Sequence, residues 1–216
     1  MVLSQVFNRA GRTSCRRHRD RRMTQHGLFS AEKSAEKSAA PVIYLPRVFA
    51  GQFALEEFEG ELQLSQKTAH MYGRSFPVPR LECWHGNRPY SFGGRVQHPQ
   101  PWSPRLTELK RCVEELTANK FDSCFVNLYR SGDDCIDWHA DDEPWIGPVI
   151  ASVSFGDARK FVLKKSNGAA KHEWQLGNGD LLVMLSGVQQ TWKHCVPRTK
   201  AAVGKRLNFT FRQTRA

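Results

Sequence analysis

Trp138-His139-Ala140-Asp141 sets an imidazole and a carboxylate two residues apart. On an extended backbone such residues leave the chain on the same side and can converge on one metal ion. H-x-D tripeptides also arise by chance, so a third donor is required. His194, 53 residues beyond Asp141, supplies one within a stretch patterned as a strand. Two histidines and one carboxylate on one side of Fe(II) leave the other positions open, as oxygen activation at a non-haem iron requires. A co-substrate must then fill some of them. Arg206-Leu207-Asn208-Phe209-Thr210-Phe211-Arg212 alternates polar and apolar residues, which puts two guanidiniums and an amide on one face. Each guanidinium can clamp a carboxylate with two hydrogen bonds, so this strip suits a short dicarboxylate. Two arginines on a strand are ordinarily a solvated face. Here Leu207, Phe209 and Phe211 on the other side mark a deeply packed strand.

The elements that must position these groups are mostly strands. Candidates are 121–129, 149–155, 159–164, 180–185, 191–196 and 206–212, separated by Gly, Asn, Asp or Pro clusters. Ahead of them, 50–64 predicts a helix with Phe53, Leu55, Phe58 and Leu62 partly buried. Ser103-Pro104 is a helix start, Leu106, Leu109, Val113 and Leu116 form one apolar face, and Asn119 is a stop. Helices followed by many short strands predict a mainly β domain, a sandwich or jelly roll with flanking helices (α+β).

The 216 residues suffice for one domain, and 40% hydrophobic with 25% charged residues is ordinary for a soluble protein. No apolar run approaches the roughly 20 residues of a membrane span, and the Arg-rich first 30 residues lack the apolar stretch of a secretory signal. The net charge of +11 raises the expectation of an acidic partner such as nucleic acid. Residues 1–40, with nine Lys/Arg against three Asp/Glu, carry +6 of it and read as a disordered basic tail, either a targeting segment or a nucleic-acid arm. None of the six cysteines forms a C-x-x-C pair, which argues against a zinc ribbon or thioredoxin-type site and for reduced structural thiols.

The strings NLYRSGDDCIDWHADDEPWIG, IASVSFGDARKF, DLLVM, WKHCVP and RLNFTFR occur in that order. Together they resemble the catalytic region of AlkB-type dioxygenases over roughly residues 76–213, and HADDEP with VPRLECWHG and YSF upstream resembles the eukaryotic DNA- and RNA-repair members. The resemblance implies a double-stranded β-helix (jelly roll) dioxygenase core in a domain spanning 41–216, with nucleotide recognition near 76–100 and the catalytic core near 120–213. It implies Fe(II), 2-oxoglutarate and O2. His139, Asp141 and His194 would be the iron ligands. Arg206, Asn208 and Tyr129 would hold the distal carboxylate of 2-oxoglutarate, and Arg212 and Asn127 its iron-chelating end. Asp142 would read the exocyclic edge of the damaged base, with Arg159 lining the same pocket. Trp84, Tyr90 and Phe92 are implied stacking residues, although burial in the core is the default for aromatics.

The implied reaction is oxidative demethylation of bases such as 1-methyladenine and 3-methylcytosine, releasing formaldehyde, succinate and carbon dioxide. The partners would be alkylated single- or double-stranded DNA and also RNA, with no membrane, the enzyme working as a monomer inside the cell, in the nucleus or the mitochondrion. Two alternatives remain: a protein or lipid hydroxylase on the same fold, and a catalytically dead nucleic-acid-binding module. The complete H-x-D…H set with both arginines speaks against the second.

Overall fold

Two antiparallel sheets pack face to face, and the alternation of side chains along each strand decides what lies on either side. The computed structural model describes residues 41–71, 73–92 and 95–214, so the tail reading for 1–40 lies outside the described residues. The larger sheet runs β1 (Val42–Leu45), β11 (Asp180–Met184), β8 (Ile146–Gly156), β13 (Arg206–Thr214), β6 (Ser123–Tyr129), β3 (Arg74–His85) and β2 (Ser65–Met71). The smaller runs β10 (Lys171–Leu176), β9 (Arg159–Lys165), β12 (Trp192–Val196) and β7 (Ile136–His139). A hairpin of β4 (Tyr90–Phe92) and β5 (Arg95–Gln97) stands apart from both. This is the jelly roll, with helices on its outside.

Leu207, Phe209 and Phe211 of β13, with Val126 and Leu128 of β6, face outward and are covered by α1 (Leu55–Glu59) and α2 (Pro104–Thr117). Phe58 is fully buried there, 4.6 Å from Phe209 between ring centroids. The other face of the same strands looks at the smaller sheet. Phe125, Tyr129, Ile150 and Met184 meet Phe161, Leu163, Trp192 and Val196 across that gap. Strand β13 therefore alternates like a half-exposed strand while both its faces are buried, and its polar face borders an internal cavity.

Ser103 accepts a hydrogen bond from the Leu106 amide, Pro104 occupies the first turn, and Leu106, Leu109 and Val113 are buried. The helix ends at Ala118 in the left-handed conformation, one residue before the expected stop, while Asn119 donates to the Thr117 carbonyl at 2.7 Å. Sequence reasoning overextends the earlier helix: only Leu55–Glu59 is helical, although Phe53, Leu55, Phe58 and Leu62 are all buried. It offers no strand candidate for β3, which carries Pro77 and Pro79. Pro77 pairs only with the edge strand β2, and pairing with β6 begins at Leu81, so no central ladder bond is lost.

Gly156, at φ 87°, turns the chain from β8 in the larger sheet to β9 in the smaller. A Cβ at that position would press on the carbonyl oxygen of Lys205. Gly156→Ala is expected to destabilise the protein by about 2 kcal/mol or more, from left-handed strain plus the clash. A urea midpoint equal to wild type would contradict this.

Candidate active site

The space between the sheets holds a cavity open to solvent on one side. Asn127, Tyr129, Ser152, Arg206, Asn208, Thr210 and Arg212 line it from the larger sheet; His139, Phe161 and His194 line it from the smaller.

At one end, His139 and His194 are direct cross-strand partners of β7 and β12, with ring centroids 4.2 Å apart. Strand β7 ends at His139, so Asp141 does not reach the histidines by strand geometry as the H-x-D reading supposes. Instead its amide donates to Gln189 Oε1 at 2.9 Å, and Arg212 Nη2 donates to its Oδ1 at 2.6 Å. Donor atoms of His139, Asp141 and His194 thereby lie within 4.8 Å of one another, a spacing that could hold one metal ion. His139 Nδ1 sits 2.7 Å from the Asp137 carbonyl. A carbonyl can only accept, so Nδ1 carries the proton and Nε2 keeps its lone pair for a metal.

Charges at this end suit a cation. Burial lowers His139, the Asp141 carboxylate only partly offsetting it. Burial, then His139, pushes His194 down to about 3. Both imidazoles are therefore neutral near pH 7 and able to ligate. Burial alone would raise the Asp141 carboxyl, but Arg212 and then the two histidines hold it below the ordinary range. Gln189, which sequence reasoning missed, keeps Asp141 turned inward. Gln189→Ala should weaken divalent-metal affinity about tenfold, as loss of a group supporting a ligand typically does. A Mn(II) titration matching wild type would show that Asp141 needs no such support.

At the other end Arg206 is 1% exposed. Its Nη2 donates to Ser154 Oγ at 2.8 Å, and its guanidinium lies 5.4 Å from the centre of the Tyr129 ring. Burial pushes its pKa down to about 10, Tyr129 partly offsetting the effect, so it remains charged at neutral pH. Nε and Nη1 of both Arg206 and Arg212 are buried without a hydrogen-bond partner in the protein. Buried cationic donors left open are unfavourable. An anion with a carboxylate for each arginine would satisfy them, so the donor set fits 2-oxoglutarate beside a metal. Asn208, expected to hold the same carboxylate, lines the cavity, but its amide already donates to Ser152 Oγ at 2.8 Å and the Val153 carbonyl at 3.0 Å. It shapes the floor.

The base-side residues are less concentrated. Tyr90 lines the cavity and donates to Glu143 Oε1 at 2.8 Å. Glu143 is half-buried, and burial pushes its carboxyl up. Trp84 does not face the cavity; it is 1% exposed and stacks behind Tyr90 at 4.8 Å. Phe92 closes β4, and its side chain lies outside the described residues. Asp142 is exposed, immediately beyond Asp141. Arg159 does not line the pocket. Its guanidinium donates to the carbonyls of Ser131, Asp134 and Pro197 at 2.7–2.9 Å, because three loop carbonyls behind Tyr129 need a donor. Arg80, which nothing in the sequence pattern singled out, does line it.

A jelly roll with a His-x-Asp…His donor set facing buried arginines defines an iron- and 2-oxoglutarate-dependent oxygenase. Residues 42–212 match the 2OG-Fe(II) oxygenase superfamily, and the chain belongs to that family. It is 37% identical over 170 residues to "Alpha-ketoglutarate-dependent dioxygenase alkB homolog 3" of Homo sapiens, covering 73% of this chain and 59% of that protein. To "DNA oxidative demethylase ALKBH2" it is 34% identical in Mus musculus, covering 74% and 70%, and 31% identical in Arabidopsis thaliana, covering 90% and 77%. The chain spans 51–59% of the length of the mammalian alkB homolog 3 proteins it matches. The solved structure of OsALKBH1 shares the fold, with a TM-score of 0.56 at 20% identity over 82% of this chain and 98% of that one. Among the described residues no helix is long and apolar enough to cross a membrane.

Proposed function

We propose that the protein removes alkyl groups oxidatively from bases such as 1-methyladenine and 3-methylcytosine in DNA, and also in RNA. The observation that carries this reading is the cavity itself, with a three-donor metal set at one end and two incompletely paired buried arginines facing it. The relatives named as DNA oxidative demethylases, and the net charge of +11, support nucleic acid over a protein or lipid substrate.

Iron(II), 2-oxoglutarate and oxygen together supply the oxidant that hydroxylates an N-alkyl carbon, with succinate and carbon dioxide as products; the hydroxylated methyl then leaves as formaldehyde. His139, Asp141 and His194 hold the metal. Arg212 keeps Asp141 ionised and oriented, and its open donors face the near end of the co-substrate with Asn127. Arg206 takes the distal carboxylate against the Tyr129 wall. Tyr90, fixed by Glu143, lines the cavity that would receive a base flipped out of its stack, and flipping is necessary because pairing covers the alkylated edge. Asp142, exposed and next in sequence to Asp141, would attract a cationic base and lose that attraction once the base is neutral. Residues 1–40 would add phosphate contacts and salt dependence without altering the chemistry.

The test is mass spectrometry of oligonucleotides carrying 1-methyladenine or 3-methylcytosine, as single-stranded DNA, duplex DNA and RNA. Loss of one methyl mass is expected, fastest on single strands, where flipping is cheapest. Unchanged mass on all three forms, with intact iron and 2-oxoglutarate binding, would refute the substrate assignment.

A further inference from the structure

Among the described residues, Arg80 is the one cavity-lining arginine without a part in the proposed reaction. It is 4% exposed and engages three different acceptors: Nε donates to Asn127 Oδ1 at 2.8 Å, Nη1 to the Cys135 carbonyl at 3.1 Å, and Nη2 pairs with Glu82 Oε1 at 2.5 Å. Glu82 in turn accepts from Gln97 Nε2 at 2.9 Å. A ligand therefore meets an arginine whose nitrogens are already engaged and whose charge is balanced within the protein. The engagement of all three nitrogens sets it apart from Arg206 and Arg212, whose Nε and Nη1 have no hydrogen-bond partner in the protein.

Its consequence falls on Asn127. An amide side chain can present either its oxygen or its nitrogen to a given neighbour, but a guanidinium only donates. Arg80 Nε therefore forces Asn127 Oδ1 toward itself and turns Nδ2 the other way. Asn127 lines the cavity, and among the described residues its Nδ2 makes no hydrogen bond. It sits directly across from Asn208 in the β6–β13 ladder, between the metal end and Arg206. Without the Arg80 bond the amide could rotate and present its oxygen, which would repel a carboxylate.

We propose that Arg80 is a positioning residue: it fixes the Asn127 amide so that a donor faces the co-substrate, and anchors that donor to the chain entering β7 and, through Glu82 and Gln97, to the β4–β5 hairpin. The inference rests on the co-substrate reading given above. It assigns Arg80 an effect on 2-oxoglutarate without contact between the two. The strand that carries Asn127, the strand that carries His139 and the hairpin that carries Tyr90 are thereby tied to one buried ion pair.

Two readouts test it: calorimetric binding of 2-oxoglutarate to the Mn(II)-loaded protein, and the split between KM for 2-oxoglutarate and kcat. Arg80→Lys keeps a charge for Glu82 but lacks the Nε donor. It should weaken 2-oxoglutarate binding about tenfold and raise KM by a similar factor, with a smaller change in kcat at saturation. In an Asn127→Ala background the same substitution should add almost nothing, because the amide it orients is gone. Should Arg80→Lys fail to fold, Arg80→Met with Glu82→Gln removes both charges together and is expected to give the same loss. Wild-type binding in the Arg80 variant alongside weakened binding in Arg206→Lys would overturn the inference alone. Wild-type binding in both would overturn the co-substrate reading and the inference with it. Equal losses with and without Asn127 would show that Arg80 does not act through that amide.

Discussion

His139→Ala is expected to abolish turnover, with a fall in rate of at least about a thousandfold, while leaving a folded protein. The reason is that, among the described residues, three donors would hold the metal, and loss of one would leave a two-donor site of poor affinity and wrong geometry. Removing the histidine should also disturb the apo fold less than removing Asp141. Its imidazole is held neutral by burial, so no compensating charge is stranded. Asp141→Ala should be equally inactive but also unstable, by about 3–5 kcal/mol, because Arg212 would remain buried without its partner carboxylate. Comparing the two separates ligation from folding. A His139→Ala protein that still decarboxylates 2-oxoglutarate at the wild-type rate would refute the metal assignment.

Arg206→Lys is expected to raise the 2-oxoglutarate requirement by about a hundredfold. A lysine can supply the charge but not the planar fork. In the structure Nη2 already serves Ser154, while Nε and Nη1 remain open donors on different edges of the guanidinium plane. The shorter reach of a single ammonium would have to choose between Ser154 and the ligand. Metal binding should be unaffected, since Arg206 makes no contact with His139, Asp141 or His194. An unchanged 2-oxoglutarate affinity in this variant, measured on the Mn(II)-loaded protein, would place the distal carboxylate elsewhere.

Periodicity revealed the parts of this site that lie on regular strands. Arg206, Asn208 and Arg212 share a face because β13 alternates without interruption, and the structure keeps that face together. His194 falls on a strand as patterned, opposite His139. What could not be read is what depends on contacts between distant segments. Asp141 leaves its strand and is held by Gln189, 48 residues away, so no local pattern announces the support. Arg80 meets Asn127 across the β3–β6 pairing, in a strand that is not among the sequence-based candidates. Arg159 and Trp84 were associated with the pocket through neighbouring motif residues, yet alternation and loop geometry turn them to the far side of Tyr129 and Tyr90. Asn208 shows the opposite limit: its position was legible, but not that Ser152 and Val153 already occupy its amide.

The most direct measurement of the central claim counts formaldehyde and succinate released together from a 3-methylcytosine oligonucleotide, with iron(II) and with iron removed by chelation. Equal amounts of the two products in the presence of iron are expected, none with iron removed, and no formaldehyde from the unmethylated oligonucleotide. Succinate without formaldehyde on the methylated strand would contradict the account and point to a different substrate for the same site.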